Sequence, residues 1–320
     1  MIVGIAYAGG CVQNLYDENS VFSQQFFEHR KIMEIVTTVS DSSESDTFME
    51  PSDELQKNTE QNTSWSMEIL PQNIDDVSLI PEFINEVYIT MIPDVSCWET
   101  IDAAQQIQAV GKKAIPHITA RSFPGVEDLE KCLSGLQTAG IERVLLIGGG
   151  HSEPAGKISC VMDLLKTGLF TKYGINAFDF AGHPEGNPDD PNSAAHLLDK
   201  LNWAEEQGVS ARIVTQWCLD SDRANAWISE LREQGFHNPI HIGIPGPSTL
   251  KTLLRFAKVC GVKASTKILR KQSMNLSKLM FINKPDKIIS ELRGYDQLHL
   301  YPFGGIERSS AWLTEWQKKS

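Results

Sequence analysis

The sequence predicts an α/β fold, a closed parallel (β/α)8 barrel of the TIM type, over residues 64–320. Three observations predict it. From Trp65 to the C-terminus short apolar, strand-like runs alternate with helix-like patterns, and about eight such runs occur, as a closed barrel requires. Several of the runs end in polar side chains, where a barrel keeps its chemistry. Gly140, Gly208, Gly235 and Gly261 follow helical patterns at positions suited to a left-handed stop. An open doubly wound sheet shares the alternation, so the strand count carries the preference for closure.

Residues 1–63 differ from the rest. Ser, Asp, Glu, Gln, Asn and Thr crowd the stretch from Ser40 to Ser64 with little apolar periodicity, which predicts a polar, largely disordered extension. Within it, Gln24–Val39 carries Phe26, Phe27, Ile32, Met33, Ile35 and Val36 and reads as one short amphipathic helix. The expected barrel strands are Trp65–Leu70, Glu86–Thr90, Lys113–Ile118, Glu142–Ile147, Asn176–Ala181, Ala211–Gln216, Pro239–Ile244 and Gln297–Tyr301. Between them, Asp128–Ala139 aligns Leu129, Cys132, Leu133 and Leu136 on one helical face, and Ala194–Glu206 aligns Leu197, Leu198, Leu201 and Ala204. A longer helical insertion is expected from about Ser265 to Leu292, before the last strand.

Lysine and arginine total 29 against 41 aspartates and glutamates, a formal charge of −12. Such a charge is repelled by a phosphate backbone or an anionic bilayer, so neither nucleic acid nor membrane is the expected partner. A local basic patch for an anionic cofactor stays compatible with it. No apolar run approaches the roughly 18 residues of a membrane span, and the apolar opening Met1–Gly10 has no basic residue before it, unlike a signal peptide. The six cysteines stand far apart with no Cys-x-x-Cys pair. That scatter predicts reduced core thiols and a cytoplasmic protein, with no structural metal site.

The densest chemistry lies in Asn176–Pro188. Phe178 and Phe180 lead into Gly182, after which His183, Glu185 and Asn187 are separated by Pro184, Gly186 and Pro188. The prolines exclude a helix, so these polar residues belong to a strand-end loop. Thr215 and Gln216 end the next run in the same way. Glu68 lies within the apolar Trp65-Ser-Met-Glu-Ile-Leu70; buried, its pKa would rise and suit a general acid, and solvent-facing it would be ordinary. His117, in Ala114-Ile-Pro-His-Ile-Thr119, occupies a comparable strand end. Gly148, Gly149 and Gly150 close another run. They lack the spacing of a nucleotide-binding Walker loop, and serve either close approach of a planar ligand or a flexible turn. Tyr301-Pro-Phe-Gly-Gly reads likewise as a phosphate loop or a plain turn, and Trp227 as core.

From Trp65 onward the chain resembles the methylenetetrahydrofolate reductase family. The matches fall in order at strand ends: Met67-Glu68-Ile-Leu-Pro71, Ile89-Thr90, Pro116-His117-Ile-Thr119, Gly140-Ile-Glu-Arg-Val144, His183-Pro-Glu-Gly-Asn-Pro188, Ile213-Val-Thr-Gln216 with Asp220, and Leu298-His-Leu-Tyr301. The resemblance implies a flavin-binding TIM barrel that interconverts 5,10-methylenetetrahydrofolate and 5-methyltetrahydrofolate with NAD(P)H through FAD, within one-carbon metabolism and methionine biosynthesis. It implies Glu68 as the general acid and Gln216 as a hydrogen-bond partner of the pterin. Thr90, His117, Gly148, Gly149, Gly150, His183 and Asn187 would line the flavin. The chain departs from the family's pattern where Gly148-Gly149-Gly150 replaces Arg-Gly-Asp and where His183 and Asn187 replace a tyrosine and a histidine. Between His196 and Trp203 it has no counterpart for the charged residues that hold the cofactor. A folate-binding barrel without redox activity and a flavin-independent reductase are the alternatives, and a homo-oligomer is compatible with each.

Overall fold

The computed structural model describes residues 63–92, 95–260 and 282–319. The polar extension, its expected helix over Gln24–Val39 and most of the expected insertion after Ser265 therefore lie outside the described residues. Ten strands are described: β1 (Trp65–Ile69), β2 (Glu86–Ile89), β3 (Lys113–Thr119), β4 (Arg143–Ile147), β5 (Ala177–Gly182), β6 (Ser210–Trp217), β7 (Ile240–Pro245), the two-residue β8 (Ser248–Thr249) and β9 (Ile282–Asn283), and β10 (Gln297–Tyr301). Strands β8 and β9 pair antiparallel with each other. The other eight are parallel and close a barrel in the order β1-β10-β7-β6-β5-β4-β3-β2. Each expected run is a barrel strand, and the parallel pairing of β1 with β10, Trp65 opposite Leu298, settles closure over an open sheet.

Alternation along each strand sends one set of side chains outward to the helices and the other into the barrel. Met67, Val87, Val144, Phe178, Phe180 and Leu300 belong to one buried cluster with helical Leu133, Leu201, Ile228 and Leu313. Those helices are α1 (Cys97–Ala109), α2 (Val126–Thr138), α3 (Val161–Lys166), α4 (Leu169–Lys172), α5 (Ser193–Glu206), α6 (Ser221–Glu233), α7 (Leu250–Val259), α8 (Asp286–Glu291) and α9 (Ile306–Gln317). A capping box starts α1: Ser96 Oγ accepts from the Glu99 amide at 3.3 Å and Glu99 accepts from the Ser96 amide at 2.9 Å. On α2 and α5 the expected apolar faces are buried, except that Leu198 is half-buried and Lys200 joins the buried side. Gly140, Gly208 and Gly235 take φ of 69°, 64° and 86° just past α2, α5 and α6, the expected left-handed stops. Trp227 packs against the main core while remaining partly exposed.

One reading is corrected. Cys97 and Cys132 form a disulfide with a Cα–Cα distance of 5.9 Å, so not all the cysteines are reduced core thiols. The packing of α1 on α2 brings the first residue of one helix beside the middle of the other, across 35 positions of sequence. Cys160, Cys218 and Cys260 take no part in disulfides. The cytoplasmic inference loses the support it drew from reduced thiols. Among the described residues no helix is long and apolar enough to cross a membrane.

The barrel interior is layered. Towards the N-terminal ends of the strands, Arg212 donates to Glu86 Oε1 at 2.9 Å and to both Asp179 oxygens at 2.9 Å, while Arg143 donates to Asp179 Oδ1 at 2.7 Å. Tyr88 closes this network by donating to Asp179 Oδ2 at 2.6 Å. Two cations balance two carboxylates, which is what permits charge at this depth. Tyr88, Ile115, Leu145, Ile147, Ala181 and Val214 form an apolar plug within the barrel. A further apolar cluster joins Trp217 and Tyr301 to Leu250, Leu253, Phe256 and Ala257 of α7 and to Phe303. Helix α7 thus packs beside the C-terminal ends of β6 and β10.

Candidate active site

Glu68 is the next-to-last residue of β1, points into the barrel and is 4 % exposed. Its neighbours come from β3, β10 and the residue just past β2. Thr90 Oγ1 lies 3.3 Å from Glu68 Oε1 and 3.0 Å from the Ile69 carbonyl. His117 Nε2 lies 3.4 Å from Glu68 Oε2, without hydrogen-bond alignment, and His299 Nε2 lies 3.5 Å from the same oxygen. His299 Nδ1 in turn meets Ser66 Oγ at 2.9 Å, which orients the ring. Burial raises the Glu68 carboxyl from 4.5 to about 7, against the lowering influence of His117 and Thr90. Burial also lowers His117 to about 4 and His299 to about 3, so both imidazoles are neutral near pH 7. The centre is a carboxyl poised between its two protonation states among neutral partners, as a general acid requires.

A second group gathers at the ends of β5 and β6. His183, Glu185, Asn187, Gln216, Trp217 and Cys260 line a small cavity. Glu185 accepts from the Leu219 amide at 3.0 Å and ties the two loops together, while Asn187 Oδ1 accepts from the Asp189 amide at 3.0 Å. Gln216 Oε1 accepts from the Trp217 amide at 3.1 Å, but its Nε2 is buried with no partner among the described residues. An orphaned amide costs about 1–3 kcal/mol. It presents a donor of the kind that a flavin or pterin carbonyl or ring nitrogen accepts from, beside a cavity of about 10 Å³, the room of one water. Cys260 borders this cavity, and Glu68 and Gln216 both stand next to last in their strands, β1 and β6, so the two groups lie at the same, C-terminal end of the barrel.

The glycine loop forms a third group. The Gly148 carbonyl accepts from the Arg121 amide at 2.9 Å, and Gly149 takes φ of 99° with its α-carbon so close to Thr119 that a Cβ would come within 3.2 Å of it. Arg121 also donates to the His151 carbonyl at 3.0 Å and the Ser159 carbonyl at 3.2 Å. The loop is held against the end of β3. No hydrogen bond joins Gly148, Gly149 or Gly150 to Glu68 or Gln216 among the described residues. In the Tyr301 loop, Gly304 packs against the Pro247 carbonyl, the packing of a turn.

Thus Glu68, Thr90 and His117 come together directly, and Gln216, His183 and Asn187 surround the adjoining cavity. Sequence reasoning missed His299 and Arg121. The signal for His299 was strand alternation, since Leu298-His-Leu-Tyr301 sends it inward with Tyr301. For Arg121 it was proximity to His117 at the same strand end.

Fold and site together define a (β/α)8-barrel protein with a buried acid at the C-terminal mouth and an unsatisfied amide beside it. A family model described as methylenetetrahydrofolate reductase matches residues 62–280. The chain belongs to that family. Among its relatives, methylenetetrahydrofolate reductase (NADH) 1 of Arabidopsis thaliana is 28 % identical over 181 residues, 51 % of this chain and 30 % of that protein. Methylenetetrahydrofolate reductase 2 of Saccharomyces cerevisiae is 27 % identical over 188 residues, 56 % of this chain and 31 % of that one. The match spans about a third of the length of these relatives. Among solved structures, dihydropteroate synthase from Thermus thermophilus superposes with a TM-score of 0.42 at 11 % identity, over 81 % of this chain and 94 % of that one.

Proposed function

We propose that the protein interconverts 5,10-methylenetetrahydrofolate and 5-methyltetrahydrofolate by hydride exchange with a nicotinamide dinucleotide, using FAD. The observation that carries this is Glu68, buried at a strand end and raised to about 7. In the reductive direction Glu68 gives its proton to a ring nitrogen of the substrate as the carbon–nitrogen bond of the five-membered ring breaks. The iminium left on the other nitrogen accepts hydride and becomes the methyl group. One hydride and one proton are consumed and the nicotinamide is oxidised. Thr90 and the neutral His299 hold the carboxyl in place, with the neutral His117 packed beside it, and burial lets it recover a proton near neutral pH. Gln216 offers its free Nε2 to the pterin. Thr90, His117, His183, Asn187 and the Gly148-Gly149-Gly150 loop would hold the flavin, whose chemistry is to carry two electrons between nicotinamide and folate. Two relatives, from Arabidopsis thaliana and Oryza sativa, carry NADH in their names, which makes NADH the first dinucleotide to assay.

Purified protein is assayed with methyltetrahydrofolate and an electron acceptor, and in reverse with NADH. Hydride transfer in the wild type and its loss by about 10²-fold in Glu68→Gln support the reading. Folate binding with no hydride transfer would instead mark a folate-binding barrel. A flavin-independent reductase is the second reading, favoured by the missing charges: Gly148 and Gly150 offer none where the family's pattern has arginine and aspartate. Full activity in protein shown by its absorption spectrum to lack flavin would select that reading.

A further inference from the structure

Strand alternation turns Ser66 and Glu68 of β1 into the barrel together, and the parallel pairing of β1 with β10 sets Ser66 opposite His299. Ser66 and His299 are both closed off from solvent. Glu68 stands two residues nearer the C-terminal rim than Ser66, opposite Tyr88, and Thr90 lies two residues beyond Tyr88 towards that rim. The two oxygens of the carboxyl therefore have different surroundings. Oε1 is on the rim side, 3.3 Å from Thr90 Oγ1, and Oε2 is on the interior side, 3.5 Å from His299 Nε2. The Thr90 hydroxyl donates to the closer Ile69 carbonyl at 3.0 Å, which leaves its oxygen able to accept from a protonated Oε1. On the far side of the imidazole, Ser66 Oγ meets His299 Nδ1 at 2.9 Å and makes no other hydrogen bond among the described residues. A buried hydroxyl hydrogen needs an acceptor, and Nδ1 is the one in reach, so Nδ1 is bare and Nε2 carries the ring hydrogen. Edge contacts with Tyr88 and Tyr301, at centroid distances of 4.6 and 4.9 Å, keep the ring from turning over.

We propose that Ser66 and His299 are positioning residues that keep the acid proton of Glu68 on Oε1, the oxygen turned towards the rim. With Ser66 donating to Nδ1, the Nε2 hydrogen is directed at Oε2, so Oε2 accepts and the carboxyl proton is left to Oε1, where Thr90 receives it until a substrate does. The opposite tautomer would draw the proton onto Oε2, between His299 and His117, and would leave the Ser66 hydroxyl without an acceptor. When the proton passes from Oε1 to a ring nitrogen of the substrate, the carboxylate left behind keeps the bond from Nε2, which favours its charged form. The proposal rests on the reading of Glu68 as the general acid and adds which oxygen acts and what selects it. Burial lowers His299 to about 3 and His117 to about 4, so both rings stay neutral while Glu68 titrates. Besides Glu68, the ionisable groups that face His299 are Glu86 and Tyr88 of β2, Asp179 of β5, Arg212 of β6, His241 of β7 and Tyr301 of β10.

The experiment uses the full chain, as wild type, His299→Leu, His299→Gln and Ser66→Ala, each with and without Glu68→Gln. Urea unfolding from pH 5 to pH 9 gives the stability difference between each protein and its Glu68→Gln counterpart. That difference grows with pH from 4.5 and levels off at the folded pKa of Glu68, about 7 in the wild type. Reduction of 5,10-methylenetetrahydrofolate by NADH, with FAD supplied, gives kcat and KM over the same range. In His299→Leu the levelling point should rise by about 0.5–1 pH unit, because the carboxylate loses a donor, and kcat should fall about tenfold with the folate KM near wild type. Glutamine places an amide N–H where Nε2 stood, so His299→Gln should restore both. Ser66→Ala frees the tautomer and should move both in the same direction by less. A levelling point unmoved in His299→Leu overturns the proposal, as does a loss of kcat that His299→Gln fails to restore, which would mark a structural histidine. Should His299→Leu fail to fold, Ser66→Ala carries the test, and wild-type values of levelling point and kcat in it overturn the proposal. A wild type without hydride transfer in which His299→Leu still moves the Glu68 titration and His299→Gln restores it defeats the reductase reading and leaves the pairing of His299 with Glu68 standing.

Discussion

Replacing Glu68 by glutamine should slow the enzyme and stabilise the fold, and the second effect has a worked size. In the unfolded chain the carboxyl titrates near 4.5, and in the folded chain near 7. Below pH 4.5 it is protonated in both states and burial is free of charge. Above pH 7 it is ionised in both, and the folded state carries the whole penalty. The difference between 4.5 and 7 corresponds to about 3 kcal/mol at 1.36 kcal/mol per pH unit. Wild-type stability should therefore decline, relative to Glu68→Gln, as pH rises from 4.5 to 7. The advantage of the variant is under about 1 kcal/mol at pH 5 and reaches about 3 kcal/mol at pH 8. Urea unfolding of both proteins at pH 5, 6, 7 and 8 measures it. A stability difference that stays constant with pH would refute the reasoning, because it would mean that Glu68 is not a carboxyl raised by burial.

Gln216→Leu removes an Nε2 with no partner among the described residues but also the Oε1 that accepts from the Trp217 amide, so one orphaned group replaces another and the melting temperature should stay near wild type while folate affinity falls about tenfold; calorimetry and a binding titration check the two halves. Asp179→Asn should cost about 3–5 kcal/mol in urea unfolding, since it leaves Arg212 and Arg143 without their shared carboxylate. Against the upward push of burial, the bonds from Arg212 hold the Asp179 pKa below 3.8, so its stabilisation is present above pH 3.8 and is lost as pH falls through the folded value. A wild type and Asp179→Asn that acid-unfold at the same pH would contradict this. Reduction of Cys97–Cys132, or the Cys97→Ser variant, should lower stability by about 3–4 kcal/mol for a loop of 35 residues, read as a drop in Tm.

The strands were legible one by one, because each is a short apolar run bounded by turn residues, and local alternation is a property of neighbouring residues. Glu68 was legible for the same reason: a carboxylate inside Trp65-Ser-Met-Glu-Ile-Leu70 is anomalous wherever the strand goes. Left-handed stops at Gly140, Gly208 and Gly235 are local too. The pairing of Cys97 with Cys132 was not legible, because it depends on how α1 and α2 lie against each other, and nothing in the spacing of two cysteines records a helix crossing. The same holds for the interior network. Asp179 sits between Phe178 and Phe180 and reads as an isolated charge until the pairing of β5 with β4 and β6 sets Arg143 and Arg212 beside it and closure brings Tyr88 of β2 across the barrel. His299 becomes a neighbour of Glu68 only because β10 closes on β1, 231 residues apart in sequence. Local chemistry names the residues of this site, while distance, burial and therefore protonation belong to the closed barrel, since each depends on what long-range contacts exclude from water.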